Sequence, residues 1–491
     1  MTGVQERLDL LREPLQAYLA QARWFGGKGR PFAVTGLNRL HLGRGPATEA
    51  PAGEPRVCIE LATVSYADTS AGHDADMDRA TTDEVYQLPL ACYPSPVDRL
   101  AHALIGEWPD PDFGFVFAYD ALHDRSANAV WLGAFDRAEQ YDELVFHRLR
   151  GHELDTSAQS TLYFGEQSNS SVVFGEDSLM KVFRRLTPGP NPDIDIHRAL
   201  TEAGSEHAAA LYGWLEVPVA PGTDQPLQLA MLQQFLRTAS DGWQAALASV
   251  RNLFAEGDLH AQEVGGDFAG EGHRLGTAVA EVHEALRSHF PTTSVDPVQT
   301  AAAMNARLED ALTDVPSLAA YAEGIRAVFA RLAETTIPLP AQRLHGDLHL
   351  GQALRTSKGW KLVDFEGEPA RPLAERMLPD SPWRDVAGML RSFDYAARAV
   401  EHDLSSDADG AAQLAYRAEE WAERNRAAFV QGYLEQSTGA ARPPTAEEQL
   451  VVAAYEADKA VYEVRYEAHN RPDWIDIPLV GLARIAKEAA L

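Results

Sequence analysis

Asp347, Gln352 and Asp364, with Lys181 well upstream, are the residues of this 491-residue chain whose types and spacing describe a reaction. They sit in Leu344-His345-Gly346-Asp347-Leu348-His349-Leu350-Gly351-Gln352 and in Leu362-Val363-Asp364-Phe365-Glu366. The pattern is a carboxylate in a tight loop, an amide side chain five residues on, and an acidic pair at the end of the next strand. A carboxylate that reaches a hydroxyl can take its proton. An amide oxygen and further carboxylates suit a hard cation such as Mg²⁺. Together they lay out a phosphoryl transfer, in which positioning and charge neutralisation do most of the catalysis.

Protein kinases set a loop Asp and Asn at this same offset and hold Mg²⁺ with an Asp at the end of a hairpin. Here Asp364-Phe365-Glu366 begins seventeen residues after Asp347, behind a hairpin expected over Gln352–Arg355 and Trp360–Val363 and turned at Ser357-Lys358-Gly359. Asp347 is therefore expected to be the base, and Gln352, Asp364 and Glu366 the metal-binding group. A rival reading takes His345, Asp347 and His349 as a zinc site. It leaves Asp364 and Lys181 without a task, and His345 is better read as a core histidine that fixes the loop by hydrogen bonds.

Lys181 stands between apolar neighbours in Ser178-Leu179-Met180-Lys181-Val182-Phe183, just after a small-residue turn, Glu166 to Ser171. Such a lysine either snorkels from an edge strand or binds phosphates and pairs with a carboxylate of the following helix. Asn191-Pro192-Asp193 supplies a cap and a first-turn proline for that helix, on which Asp195 and Glu202 both qualify as partner. Backbone N–H groups of the turn, around Ser168 and Ser170, could cover phosphates, although GxGxxG is absent. A strand over Leu227–Leu236 ends in Gln233-Gln234-Phe235-Leu236.

The elements that must position these groups read as follows. A helix over Gln5–Gln21 shows Leu8, Leu11, Leu15, Tyr18 and Leu19 on one face. It leads into Arg23-Trp24-Phe25-Gly26-Gly27-Lys28-Gly29-Arg30, which lacks P-loop spacing and is expected to be a structural turn around a buried Trp24. Strands follow at Arg56–Val64 and Val85–Leu90, separated by an acidic Asp68–Asp83 segment too poor in large apolar residues to pack and so expected as a flexible loop. Cys92–Val97, with two prolines, is expected to join a small N-terminal unit to the rest. Beyond Ser240 helical periodicity dominates, through Leu275, Val279, Val282 and Leu286 and over Asp385–Glu401, Ala411–Glu435 and Glu447–Ala468.

A net charge of −29 argues against sequence-independent binding of nucleic acid, which needs clustered cations. It also means that an anionic nucleotide must be met by locally exceptional positive groups. Two cysteines, no signal-peptide pattern and no apolar run of bilayer length suggest a cytoplasmic protein without a membrane partner.

HGDLHLGQ at 345–352, LVDFEGEPARPLAER at 362–376, DSPWRDVAGMLRSFDYAA at 380–397 and RWFGGKGR at 23–30 resemble the actinobacterial maltokinases and their glucosamine-kinase relatives. The resemblance spans nearly the whole chain. It implies an α+β, bilobal protein-kinase-like fold with an N-terminal cap subdomain and a mostly helical C-terminal lobe. The expected divisions are 1–95 for the cap, 96–236 for the nucleotide-binding lobe and 237–491 for the helical lobe. It implies ATP and Mg²⁺ as cofactors, Asp347 as base, Gln352 and Asp364 as Mg²⁺ ligands, Lys181 on the phosphates and Gln234, Phe235 and Leu236 in the adenine-contacting hinge. Aminoglycoside phosphotransferases share a similar loop, but the cap and the DFEGEP extension count against them. A silent pseudokinase is opposed by the intact Asp347, Gln352, Asp364 and Lys181.

The resemblance places the sugar on the C-terminal lobe, near Tyr462, Tyr466, Glu467, His469, Trp474 and Asp476, with His349 and Asp347 facing it. Core packing at i, i+4 is the competing account of the two tyrosines. Maltokinases usually read YEARNRP here, followed by an uncharged residue before IPL. This chain has His469 in place of the arginine and Asp476 before Ile477-Pro478-Leu479. A less positive pocket favours an ammonium-bearing sugar, so glucosamine, phosphorylated at its 6-hydroxyl, is expected over maltose, phosphorylated at its anomeric hydroxyl.

Overall fold

A computed structural model describes residues 2–43, 53–66, 83–163, 168–220, 222–237, 240–256, 259–335, 338–368, 371–404 and 408–489. Most of the acidic segment expected as a flexible loop, and Glu166 and Gln167 of the phosphate-covering turn, lie outside them. The chain divides into two compact units: 1–194 with 210–235, and 195–209 with 236–491.

The first unit holds two antiparallel sheets. One orders Phe32–Leu42, Arg56–Tyr66, Glu84–Tyr93, Gly114–Asp120 and Leu104–Asp110, with Arg185–Leu186 added to Glu84–Tyr93. The helix Thr2–Gln21 packs Leu8, Leu11, Leu15 and Leu19 among Val34, Val64, Tyr86 and Leu88 of this sheet, as its periodicity demands. The sheet continues to Asp120, past the expected junction at Cys92–Val97, which is instead a connection inside it. Leu104–Asp110 is hard to read as a strand because it contains Gly106 and Pro109. It is tolerated because it lies at the sheet's edge. In the turn after the first helix the buried ring is Phe25, while Trp24 is half-buried with the Arg184 guanidinium 4.5 Å over it.

The second sheet has seven strands, and Ser178–Val182 lies inside it between Ser170–Phe174 and Leu227–Gln234. Lys181 is therefore on an interior strand, which rules out the edge-strand snorkel. Gln87 Nε2 donates to the carbonyls of Phe183 (2.6 Å) and Leu229 (2.5 Å), fastening the first sheet to the second.

The second unit is mainly helical: Gly242–Ala255, Ala269–His289, Pro297–Asp314, Ala322–Ala333, Trp383–Leu404, Ala408–Thr438, Ala446–Asn470 and Asp476–Ala489. A small sheet of Ser240–Asp241, Ala353–Thr356 and Gly359–Leu362 includes the expected hairpin. One core gathers Trp360, Phe365, Phe393, Trp421 and Phe429, and another gathers Leu308, Phe329, Val464 and Leu482. The helix Ala446–Asn470 starts at a capping box, with Glu448 N–H on Thr445 Oγ1 (3.2 Å) and Thr445 N–H on Glu448 Oε2 (2.7 Å). Among the described residues no helix is long and apolar enough to cross a membrane.

Candidate active site

The loop carrying Asp347 is held from below by one carboxylate. Asp385, fully buried on the helix Trp383–Leu404, accepts His345 N–H on Oδ2 and Gly346 N–H on Oδ1, both at 2.9 Å. His283 Nε2–H also donates to Asp385 Oδ2 (3.1 Å), and its Nδ1 accepts from the Tyr433 hydroxyl (3.0 Å). Burial alone would raise the Asp385 carboxyl, but the hydrogen bond from His283 and those from the loop backbone outweigh it and hold it below the usual range. Two glycines make the loop possible. Gly346 has φ +85°, and a Cβ on Gly388 would lie 2.6 Å from the Leu348 carbonyl oxygen.

His345 takes the structural role. Its Nε2–H donates to the Val363 carbonyl (3.0 Å) and its Nδ1 accepts from Asp347 N–H (3.4 Å), while its ring packs 4.8 Å from that of buried Phe365. His349 caps the short turn Leu350–Gln352, its Nδ1 accepting Gly351 N–H at 3.1 Å. With both imidazoles tied to the backbone, the zinc reading of His345, Asp347 and His349 does not hold.

Gln352 and Asp364 meet, the amide Nε2–H donating to Asp364 Oδ2 at 3.1 Å. Asp364 has φ +66°, a left-handed conformation that costs a non-glycine residue roughly 1–3 kcal/mol and is typical of functional sites. A carboxylate oxygen of Asp364 and one of Glu366 lie within 4.8 Å of each other. Were the Gln352 amide to present its oxygen instead, it would join Asp364 and Glu366 as hard-oxygen donors of the kind that suits Mg²⁺.

Asp347 faces a residue that the loop motif does not include. Lys459 Nζ, on the helix Ala446–Asn470, donates to Asp347 Oδ1 at 2.9 Å. Burial would raise the Asp347 carboxyl, yet the Lys459 ammonium, through its charge and its hydrogen bond, prevails and holds it below the usual range. Burial would likewise lower the Lys459 ammonium, but Asp347 and Glu368 raise it above the usual lysine value. Two cavities adjoin this pair. One, of about 260 Å³, is lined by Asp347, Glu368, Arg371, Arg384, Lys459 and Tyr462 among others. The other, of about 380 Å³, is lined by His349, Trp243, Tyr395, Glu463 and Arg471, with Lys459 and Tyr462 shared.

Of the residues expected at the sugar, Tyr462, Tyr466, Glu467 and Trp474 line the second cavity. The tyrosine rings stack 6.3 Å apart, and Tyr466 is 44% exposed, so this is not core packing. His469 and Asp476 line neither cavity. Both are exposed, His469 with Nδ1 on the Arg465 carbonyl (2.7 Å) and Asp476 in the first turn of the last helix. The acidity expected of the pocket from those two positions comes from Glu463 and Glu467 instead. Glu467 is engaged by Arg471 at 2.6 and 2.9 Å and by the Tyr395 hydroxyl at 3.2 Å. Glu463 takes both Arg391 contacts on Oε2, at 2.8 and 3.0 Å.

In the first unit Lys181 Nζ donates to Asp193 Oδ2 at 2.9 Å, both side chains buried. The helix carboxylate seen to meet the lysine is Asp193, in the first turn. Asp195 Oδ1 accepts from Arg198 (3.2 Å), and Glu202 is exposed at the helix end. In the sequence Asp193 reads as part of the cap, and Asn191 Oδ1 does accept its N–H at 2.9 Å. Ser170 Oγ accepts from Arg184 Nε (2.8 Å), and Ser168 is exposed. Gln234 N–H donates to the Ala210 carbonyl (2.8 Å) and Phe235 N–H to the Asp177 carbonyl (3.0 Å). Leu236, half-buried, opens the second segment of the other unit.

Residues 18–124 match the maltokinase N-terminal cap domain. A glucosamine kinase of Streptacidiphilus jiangxiensis is 30% identical over 334 residues, 66% of this chain and 72% of that protein. One of Mycolicibacterium smegmatis is 30% identical over 244 residues, 47% of this chain and 58% of that one. Among solved structures, a glucosamine kinase in complex with glucosamine, ADP and inorganic phosphate aligns over 96% of this chain and 98% of its own, with TM-score 0.65 and 21% identity. A second crystal form of a glucosamine kinase aligns with TM-score 0.66 and 22% identity over 95% of this chain and 98% of its own. The fold and the site define a protein-kinase-like phosphotransferase of the sugar-kinase class. Within that class, the chain belongs to the glucosamine kinase family.

Proposed function

We propose that the protein transfers the γ-phosphoryl group of ATP to glucosamine, giving glucosamine 6-phosphate. The observation that carries the reading is the base: Asp347 Oδ1 is taken by Lys459, while Oδ2 has no hydrogen-bond partner among the described residues and is left to accept a hydroxyl proton. Lys181, steadied by Asp193, offers its ammonium to nucleotide phosphates, with the strand end at Gln234-Phe235-Leu236 reading the adenine. Gln352, Asp364 and Glu366 would hold Mg²⁺, which when bound neutralises phosphate charge.

For the acceptor, Tyr462, Tyr466 and Trp474 give a sugar ring apolar faces, and His349 a polar edge. Glu463 has its Oε1 uncommitted among the described residues, and a partly desolvated ammonium gains from such a carboxylate. Maltose is the second reading, favoured by the match of residues 18–124 to a maltokinase cap. A coupled ADP-release assay across glucosamine, maltose, glucose, N-acetylglucosamine and kanamycin separates them. Turnover with glucosamine is expected, and turnover with maltose but none with glucosamine overturns the reading.

A further inference from the structure

We infer that Lys459 is a catalytic residue, the cation that meets the transferring phosphoryl group, supplied by a helix more than a hundred residues downstream of the base it touches. This rests on the kinase reading above and adds a role to it.

Three observations carry it. Lys459 is partly buried, its side chain 26% exposed, with Nζ 2.9 Å from Asp347 Oδ1 and 5.0 Å from the centre of the Tyr462 ring. An ammonium has three N–H donors, and among the described residues Asp347 is its one hydrogen-bond acceptor, so two donors remain. The nearby carboxylates each have one oxygen engaged elsewhere and neither accepts from Lys459: Glu368 Oε2 receives Arg371 at 3.0 Å and Arg384 at 3.1 Å, and Glu463 Oε2 receives Arg391. Lys459 also borders both cavities beside the base. The two donors that Asp347 does not take are open to a ligand entering the adjoining cavities, and charge-assisted donors in a partly desolvated site are where developing negative charge is stabilised most.

In the reaction the sugar hydroxyl oxygen bonds to the γ-phosphorus as the bond from phosphorus to the β,γ-bridging oxygen breaks. The electron pair leaves on ADP, and the hydroxyl proton passes to Asp347 Oδ2. Lys459 stays protonated, and its two remaining N–H groups donate to the oxygens of the moving phosphoryl. One ammonium thus orients the base through Oδ1 and offsets charge on the group in flight. In a chain of net charge −29 it also supplies positive charge where an anion must approach.

The test is steady-state kinetics of the full chain carrying Lys459→Met, Lys459→Gln or Lys459→Arg, with thermal melts to confirm folding. Expected is a kcat loss of ~10²-fold or more for Lys459→Met, with KM for sugar and for ATP within about threefold of the parent. Lys459→Gln, which can still donate to Asp347 Oδ1 without charge, should lose as much, and Lys459→Arg should recover at least tenfold. A kcat within about threefold of the parent in a folded Met or Gln variant overturns the inference. So does a loss confined to the sugar KM, which would make Lys459 a sugar contact. ADP release by the parent enzyme tests the kinase reading separately, and the variant-to-parent ratio is taken with whichever sugar the parent turns over.

Discussion

Lys181 Nζ and Asp193 Oδ2 stand 2.9 Å apart in the interior of the first unit, a buried ion pair between an inner strand and the opening turn of the helix Pro192–Glu202. Two long segments of backbone thus agree on the position of one ammonium. Breaking such a pair from one side typically costs up to roughly 3–5 kcal/mol, because a buried charge loses one of its partners. Asp193→Ala should therefore lower stability by about that amount in urea unfolding and raise the KM for ATP, whereas Glu202→Ala, at an exposed helix end, should change neither.

Asp347→Asn keeps the shape of the base but removes its capacity to accept a proton. A fall in kcat of ~10²- to 10⁴-fold is expected, with the circular dichroism spectrum unchanged. Because Lys459 holds the Asp347 carboxyl below its usual range against the effect of burial, the proposed base stays ionised well below neutral pH. The acid side of the kcat/KM profile should therefore be flat down to roughly pH 5. A limb centred near pH 6.5 that Asp347→Asn abolishes would contradict this.

Asp385→Asn should act through the loop. Asparagine offers one acceptor oxygen where the carboxylate offers two, so one of the His345 and Gly346 N–H bonds is lost along with the charge facing His283. A cost of about 1–3 kcal/mol follows, with kcat reduced more than KM. The folded-state carboxyl is depressed, so its contribution to stability is present above the unfolded-state value and is lost as pH falls through the folded one. The stability difference between parent and variant should accordingly be largest near neutral pH and shrink on acidification, as followed by urea unfolding at several pH values.

Glu463→Gln probes the acceptor pocket. If Glu463 Oε1 receives the sugar ammonium, the variant should raise the KM for glucosamine by about tenfold, of the order of a lost charge-assisted hydrogen bond, and leave glucose, where it is a substrate, nearly unchanged. Asp476→Asn and His469→Arg should leave both untouched, since neither side chain lines the cavities.

Gly388→Ala tests how tightly the helix Trp383–Leu404 presses on the loop. Its Cβ would lie 2.6 Å from the Leu348 carbonyl oxygen, an atom of the backbone. The loop must shift, and a displacement of even 1 Å at the base can cost about 10²-fold in rate. A melt shows whether stability falls with it.

Much of the chain follows from local pattern. The long helices appear where apolar residues recur at helical spacing, and the hairpin before Asp364 where a Ser-Lys-Gly turn divides two short strands. The extent of the first sheet is not visible in this way, because an edge strand can carry Gly106 and Pro109 and so lose the marks of a strand. Phe25 is buried where Trp24 is expected to be, because adjacent residues in a turn point in different directions and only the packing around them decides which goes inside.

The sequence by itself determined the reaction, since Asp347, Gln352, Asp364 and Glu366 lie within twenty residues of one another and their relative placement is set by one loop and one hairpin. Only the tertiary structure decided what steadies and charges that loop. Asp385 and His283 fix its backbone, Lys459 meets Asp347, Asp193 meets Lys181, and Glu463 rather than Asp476 faces the cavity. Each of these is a contact between side chains on different elements. Whether such groups meet depends on helix packing and on which face each helix turns inward, and residue type and spacing along the chain do not encode that.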